Sequence, residues 1–377
     1  MKKIVKLAEK IYLSTPAMLL LALVLGGFVI NCFVSNTFLL DNRPLAKKPT
    51  KFSADFPRQY EQYFNETFSG RKKLVKKFSK IKLRLGMDSG YIINGLNGWM
   101  FYDSAKVPDG YTLIDYYGEI VYTPQELDQM TSGMKAARDF YAKKGIDYMI
   151  VVTPNKESLY SEYMPERMQR ARVSDLSRND RAILYAQENS DVAILNLSDS
   201  LKAAKPHTQY PLYFQKDTHW NNIGAYVAYI QLAQTLQKFG YNVKAPAYSD
   251  NMVENAMVSK TDLSYAGDKD IDYQVKYKED IVPQNLVNED HGFFQVWENK
   301  TAPVQKRVLM LRDSQGIALM RYIEKDFAFG VFAHIKWNTK EGLQKLVETY
   351  KPDLVIDELG ERYFDRFLKY NDIYGDK

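Results

Sequence analysis

Five short apolar runs, IDYMIVVTP, Val192 to Leu195, RVLMLRDS, FAFGVFA and DLVIDEL, alternate with segments whose apolar residues recur at helical spacing. This alternation admits few folds. A strand covered on both faces reads as a continuous apolar run, and helices between such strands are the crossovers of a parallel sheet. The helical segments run from Pro124 to Lys144, from near Ser174 to Glu188, from Asn221 to Phe239, onward from Gln315, and from Thr339 to Tyr350. Thr123 stands where an N-cap belongs, with Pro124 at the first helical position. The fold class is therefore α/β, a mostly parallel, doubly wound sheet with helices on both faces. Upstream, YIING and NGWMFYD read as a hairpin around Gly95 and Gly98 that turns at Leu96-Asn97. The stretch from Pro246 to Ala302 is polar and strand-poor, and reads as an irregular insertion.

The other constraint is at the start. Lys2, Lys3, Lys6 and Lys10 precede an apolar run from Pro16 to Val34 with one strongly polar interruption, Asn31. About twenty apolar residues cross a bilayer as a helix, and the basic flank stays on the cytoplasmic side. The expected order is a cytoplasmic tail (1–14), a single transmembrane anchor (15–36), a linker (37–54) and an extracytoplasmic domain (55–377). A cleaved signal peptide is the rival, but a small-x-small cleavage site is hard to find. A lipoprotein reading through Cys32 is weakened by Asn31, which stands where a small residue is needed. Between Phe56 and Leu85, helical spacing with a Lys-rich face suggests one broken or two short amphipathic helices.

Composition mainly excludes. The chain holds 51 basic and 46 acidic residues, a balance of +5 that is too small and too local to argue for nucleic acid. Its single cysteine, Cys32, rules out an intrachain disulfide and a catalytic thiol in the body of the chain. His is equally scarce: His207, His219, His291 and His334 are the only four, with no helix-spaced pair, so no metal site and no cofactor is expected. The 28 Tyr and 19 Phe admit sugar stacking, although large aromatics are mostly core.

Two short stretches can carry chemistry. Ser314 follows the strand Val308 to Leu311, where ligands bind beyond the carboxyl ends of strands, and precedes a helix whose first N–H groups can face an oxyanion. Alone, RDSQG reads more simply as an N-cap. In DTHWN, Asp217 and His219 lie two apart, so an extended backbone would project both to one side. A serine hydroxyl needs a base to take its proton; a neutral His is the usual one, and an Asp fixes its tautomer. By itself, His219 reads equally as a metal ligand, a capping residue or a core histidine.

The ordered set NGLNGWMFYD, VVTPNKESLYSEYMP, DTHWN, LRDSQG and IDELGERYF resembles the SGNH-hydrolase-like (flavodoxin-like) domain of the alginate O-acetyltransferases AlgJ and AlgX and the related DHHW proteins, from about Phe56 to about Leu368. The resemblance implies a triad of Ser314, His219 and Asp217, with Asp and His ahead of Ser in the chain. Gln315 departs from the apolar residue usual after that serine, which leaves the shape of the nucleophile turn open. Weaker assignments are Lys156, Trp220 and Arg362 as substrate-binding, Lys156 toward an anionic sugar or the active site, although Lys156 reads equally as a surface lysine that holds its loop. Trp220 also reads as packing under the site, Trp99 as the hairpin's anchor, and Glu361 with Arg362 as a structural pair.

The activity so implied is O-acetylation of an exported, alginate-like polysaccharide through a serine acyl-enzyme, at the inner membrane and on its periplasmic or cell-surface side. The implied partners are the polymer and a multispanning membrane-bound O-acyltransferase. A carbohydrate acetylesterase with the same triad and a non-catalytic polysaccharide-binding scaffold remain alternatives.

Overall fold

The computed structural model describes residues 46–68, 91–104, 110–263, 269–289 and 292–375, with a few isolated residues besides. The expected anchor at 15–36 lies, except for Thr15 and Met18, outside the described residues. Among those described, no helix is long and apolar enough to cross a membrane. The chain divides into a unit of residues 1–87 with 265–267 and a larger unit of 88–264 with 268–377. In the first, α1 (Phe56–Thr67) is the helix expected at the start of the amphipathic stretch, with Phe56 and Tyr60 stacked; the Lys-rich part that follows lies, isolated residues aside, outside the described residues.

The larger unit opens with the hairpin of β1 (Ile92–Asn94) and β2 (Met100–Tyr102), paired antiparallel. Its turn requires left-handed backbone, at Asn97 (φ 53°) and Gly98 (φ 81°), residues that tolerate it. The α/β succession follows: α2 (Pro124–Ala142), β3 (Asp147–Thr153), α3 (Arg178–Asn189), β4 (Ala193–Asn196) and α4 (Asn222–Lys238). Side chains set the helix starts. Thr123 and Glu126 form a capping box before α2, Ser177 and Asp180 another before α3, and Asn221 caps α4 through the N–H groups of Ile223 and Gly224.

The segment expected to be irregular contains four strands, β5 (Val253–Lys260), β6 (Lys269–Val275), β7 (Gln284–Glu289) and β8 (Phe294–Glu298). β5 and β6 pair as a separate hairpin, while β7 and β8 join the main sheet. The polarity that hid β7 has a structural cause, since it is a mostly exposed edge strand with little apolar pattern. Then come β9 (Val304–Arg312), α5 (Ile317–Asp326), β10 (Phe327–His334), α6 (Lys340–Tyr350) and β11 (Leu354–Gly360).

The central sheet has seven strands in the order β4-β3-β11-β9-β10-β8-β7. Its first five strands are mutually parallel and its last two pairings are antiparallel, so β8 alone runs against the rest and the sheet is mixed rather than purely parallel. Period-two alternation sorts its side chains. Met149, Val151, Val308, Met310, Leu354 and Ile356 share a core with α4 and α5 through Ile223, Tyr226, Leu232, Leu319 and Ile323. Ile150, Val152, Leu309, Leu311 and Val355 face the other way, onto Met130, Met134 and Tyr141 of α2, Ala182 and Ile183 of α3, and Leu343 and Leu346 of α6. Each such large side chain contributes roughly 1.5–3 kcal/mol by burial. The helices therefore cover both faces, as the alternating runs required.

Candidate active site

The parallel strands β3, β9 and β11 end on one edge, at Thr153, Arg312 and Gly360. Their following loops are tied together there. Asp313 accepts the Gly360 N–H at 2.7 Å through Oδ2 and the Gln315 N–H at 2.7 Å through Oδ1. Glu361 accepts the Asn155 N–H at 2.9 Å. Ser314 sits in the turn Asp313 has shaped, half-buried, ahead of the first turn of α5. Gly316 is required by close approach: a Cβ there would collide with Glu358 Oε2 and would meet Arg312 Cβ at 2.8 Å.

The second element is the loop Leu212 to Asn221, drawn closed by an antiparallel bridge between Tyr213 and Trp220 and by the Phe214 N–H donating to His219 O at 3.2 Å. It rests on Gly224, where any Cβ would collide with Leu212 O. Within it, His219 Nδ1 lies 2.6 Å from Asp217 Oδ1, and the His219 backbone N–H donates to the same oxygen at 3.0 Å. The pair thus meets in an Asx-type turn, not through the extended backbone expected from the spacing. With Nδ1 held by the carboxylate, Nε2 is the nitrogen left to take a proton.

Desolvation pulls the His219 pKa down, but the Asp217 hydrogen bond and the charges of Asp217 and Asp262 outweigh it, against opposition from Arg362. The imidazole therefore sits above its ordinary value. For Asp217, desolvation pushes upward and the His219 hydrogen bond and charge win, leaving the carboxyl below the ordinary range. The two shifts describe one ion-pair-like dyad.

Gln315 joins the two elements. Its Nε2 donates to Thr218 O at 3.2 Å, its Oε1 accepts the Trp220 N–H at 3.4 Å, and its carbonyl accepts Trp220 Nε1–H at 2.8 Å. The residue that departed from the expected apolar type is thus the staple between the Ser314 turn and the Asp217-His219 loop. Among the described residues, no direct hydrogen bond joins Ser314 to His219.

The weaker assignments separate. Lys156 is 2% exposed and its Nζ donates to the carbonyls of Met100 (2.7 Å), Gln215 (2.8 Å) and Asp217 (2.9 Å), under the rings of Trp99 and Phe101. Burial pulls its pKa down to about 8. All three ammonium protons are spent on the protein, so Lys156 is a strut for the loop and not the expected contact for an anionic sugar. Trp220 is buried and belongs to the core under the loop, in agreement with the packing reading and not with substrate contact. Arg362 is buried beside Tyr102 and Tyr363, and its charge reaches His219. Trp99 stacks on Tyr160 and Tyr163, which anchors the β1–β2 hairpin.

Sequence reasoning missed Asp262, which lies just beyond β5. Its backbone N–H donates to Asp217 Oδ2 at 2.8 Å, its carboxylate accepts the N–H and Oγ1–H of Thr218 at 2.8 and 2.5 Å, and it lies 3.6 Å from His219 Nδ1. Nothing in the local pattern TDLS marks it; only folding brings it to the loop. The donor atoms of Asp217, His219 and Asp262 lie within 4.8 Å of one another. Those atoms already face one another, or Thr218, through hydrogen bonds, which is the arrangement of an acid–base dyad.

A three-layer α/β domain with an Asp–His dyad held against a strand-end serine turn defines the class of SGNH-type serine hydrolase-like domains. Residues 92–292 match the family described as SGNH hydrolase-like domain, acetyltransferase AlgX, and the chain belongs to that family. The matched span contains Asp217 and His219 and ends before Ser314. Among solved structures, Bacillus cereus PatB1 is similar at 14% identity and a TM-score of 0.53, covering 74% of this chain and 99% of that one. A DHHW family protein from Eubacterium siraeum aligns at 15% identity and a TM-score of 0.49, covering 76% and 99%. The O-acetyltransferase domain of Pseudomonas putida AlgJ aligns at 16% identity and a TM-score of 0.45, covering 73% and 92%. No curated protein sequence matches.

Proposed function

We propose that this protein is an O-acetyltransferase that moves an acetyl group, through an ester on Ser314, to hydroxyls of an exported polysaccharide. The observation that carries the reading is the 2.6 Å Asp217–His219 dyad, stapled by Gln315 to the turn bearing Ser314. In the first half-reaction Ser314 Oγ bonds to the donor's carbonyl carbon as its proton passes to His219 Nε2. The donor's ester bond then breaks and the leaving oxygen takes that proton. In the second, a sugar hydroxyl gives its proton to His219 and bonds to the acyl carbon, and the released Ser314 oxygen is reprotonated. Asp217 steadies the imidazolium in both. N–H groups at the turn and the start of α5 are suited to the oxyanion.

Membership of a family described by an acetyltransferase supports acetyl transfer as the reaction. The basic tail and apolar run at the N-terminus support an anchored, extracytoplasmic enzyme at the inner membrane, supplied by a multispanning membrane-bound acyltransferase. The linker and domain boundaries at residues 37–54 and 55–377 belong to the same proposal. An acetylesterase differs only in taking water as acceptor, and His219, 26% exposed, stands within reach of either. The full chain in detergent, given an acetyl ester with and without oligosaccharide, tests the reading. Acetyl should appear on the sugar at the expense of free acetate, and Ser314→Ala should abolish turnover while leaving the fold intact. Acetate release indifferent to sugar would replace transferase by esterase.

A further inference from the structure

The hairpin of β5 and β6 holds the dyad loop at three points. Asp262 binds Thr218 and Asp217 as described; Asp270 accepts the Lys216 N–H at 2.7 Å; Asp272 accepts the Asn222 side-chain amide at 2.8 Å and its backbone N–H at 3.3 Å. Leu263 N–H donates back to Lys216 O at 3.2 Å. A polar hairpin outside the central sheet thus satisfies backbone groups of Lys216, Thr218 and Asn222, while Lys156 holds the carbonyls of Gln215 and Asp217.

We infer that this hairpin is a positioning element for the acid–base dyad, and that Asp262 is a positioning residue which both fixes the Asp217 carboxylate and acts as a second anion beside His219. The inference rests on the reading of Ser314, Asp217 and His219 given above. Asp217 has two oxygens, and an unrestrained carboxylate would rotate between partners. Here Oδ1 is committed to His219 and Oδ2 to the Asp262 N–H, so rotation would break bonds at both ends. The Asp262 carboxylate, pinned by two bonds from Thr218, stands 3.6 Å from Nδ1 and favours the imidazolium that forms when Ser314 loses its proton. The charged groups that bear on His219 are Asp217 from its own loop, Asp262 from the hairpin, and Arg362 from the segment after β11; Lys156 lies behind Asp217.

The test is the pH profile of kcat/KM for 4-nitrophenyl acetate with the full chain in detergent. Asp262→Asn should lower kcat/KM roughly tenfold and carry the acid limb to lower pH, because the neutral imidazole persists further once the neighbouring anion is gone. Asp272→Asn, which loosens only the start of α4, should lower kcat/KM and leave the limb in place. Asp262→Ser keeps an acceptor for Thr218 and gives the same reading should the Asn variant fold poorly. An acid limb unmoved in both Asp262 variants, which keep the backbone N–H to Asp217, with Ser314→Ala inactive, would overturn the role of the Asp262 carboxylate as a second anion. Full turnover in Ser314→Ala would overturn the site reading and this inference with it.

Discussion

Replacing Gln315 by Leu isolates the contact that holds the two halves of the site together. The side chain is 5% exposed and makes two bonds to the dyad loop, at 3.2 Å to Thr218 O and 3.4 Å from the Trp220 N–H. A made bond is worth roughly 0.5–1.5 kcal/mol net, and the longer of these belongs at the low end. Leu removes both and leaves a carbonyl and an N–H without partners, at roughly 1–3 kcal/mol each if both stay dry, while its own burial returns about 1 kcal/mol. The net loss is about 2–3 kcal/mol of stability, measurable as a lower denaturation midpoint at unchanged slope. The loop can then move relative to the Ser314 turn, and displacement of a reacting group by about 1 Å costs up to about 100-fold. We expect kcat/KM for 4-nitrophenyl acetate to fall about 30–100-fold, carried by kcat. Gln315→Glu keeps the acceptor but sets a second acceptor against Thr218 O, and should do no better. A folded Gln315→Leu variant with kcat/KM within about twofold of wild type would refute the staple.

Lys156→Met should cost about 2–4 kcal/mol, because three carbonyls, two of them in buried bonds, lose a charged donor and the return from sparing a buried ammonium is only partial; a denaturation midpoint equal to wild type would refute the strut. Gly316→Ala forces a methyl against Glu358 and Arg312 and should cost roughly 1–3 kcal/mol together with most of the turnover, so a fully active, fully stable alanine variant would contradict the packing. The dyad should also write itself into stability. Asp217, held below its ordinary value, contributes stability that is present above the usual carboxylate range and lost as pH falls through its folded pKa. His219, held above its ordinary value, contributes stability that is complete below about 6.5 and lost as pH rises through its folded pKa. The stability difference between wild type and His219→Gln should therefore peak in mildly acidic solution and shrink as pH rises through the folded pKa of His219; a difference that grows with pH would have the wrong sign.

By itself, the sequence determined the α/β class, the order of the main strands and helices, and the cap at Thr123, because continuous apolar runs and capping residues act over a few neighbours. Its resemblance to the AlgJ and AlgX family also singled out Ser314, His219 and Asp217, none of which stands out when read alone. Strands β6 and β7 were not legible, because polar strands leave no periodic apolar signal and exist through pairing with distant partners, whereas β8, FQVWE, carries the buried Phe294, Val296 and Trp297 and was lost within its polar surroundings. The tertiary structure alone decided the tasks of Lys156, Gln315 and Asp262. Lys156 looked like a loop cation and is a buried strut; Gln315 looked like an anomaly and is a bridge over 97 residues to Thr218. Asp262 had no signal at all and reaches Asp217 across 45 positions. A side chain's role depends on what surrounds it in space, and for these residues every decisive partner comes from a different element of the fold.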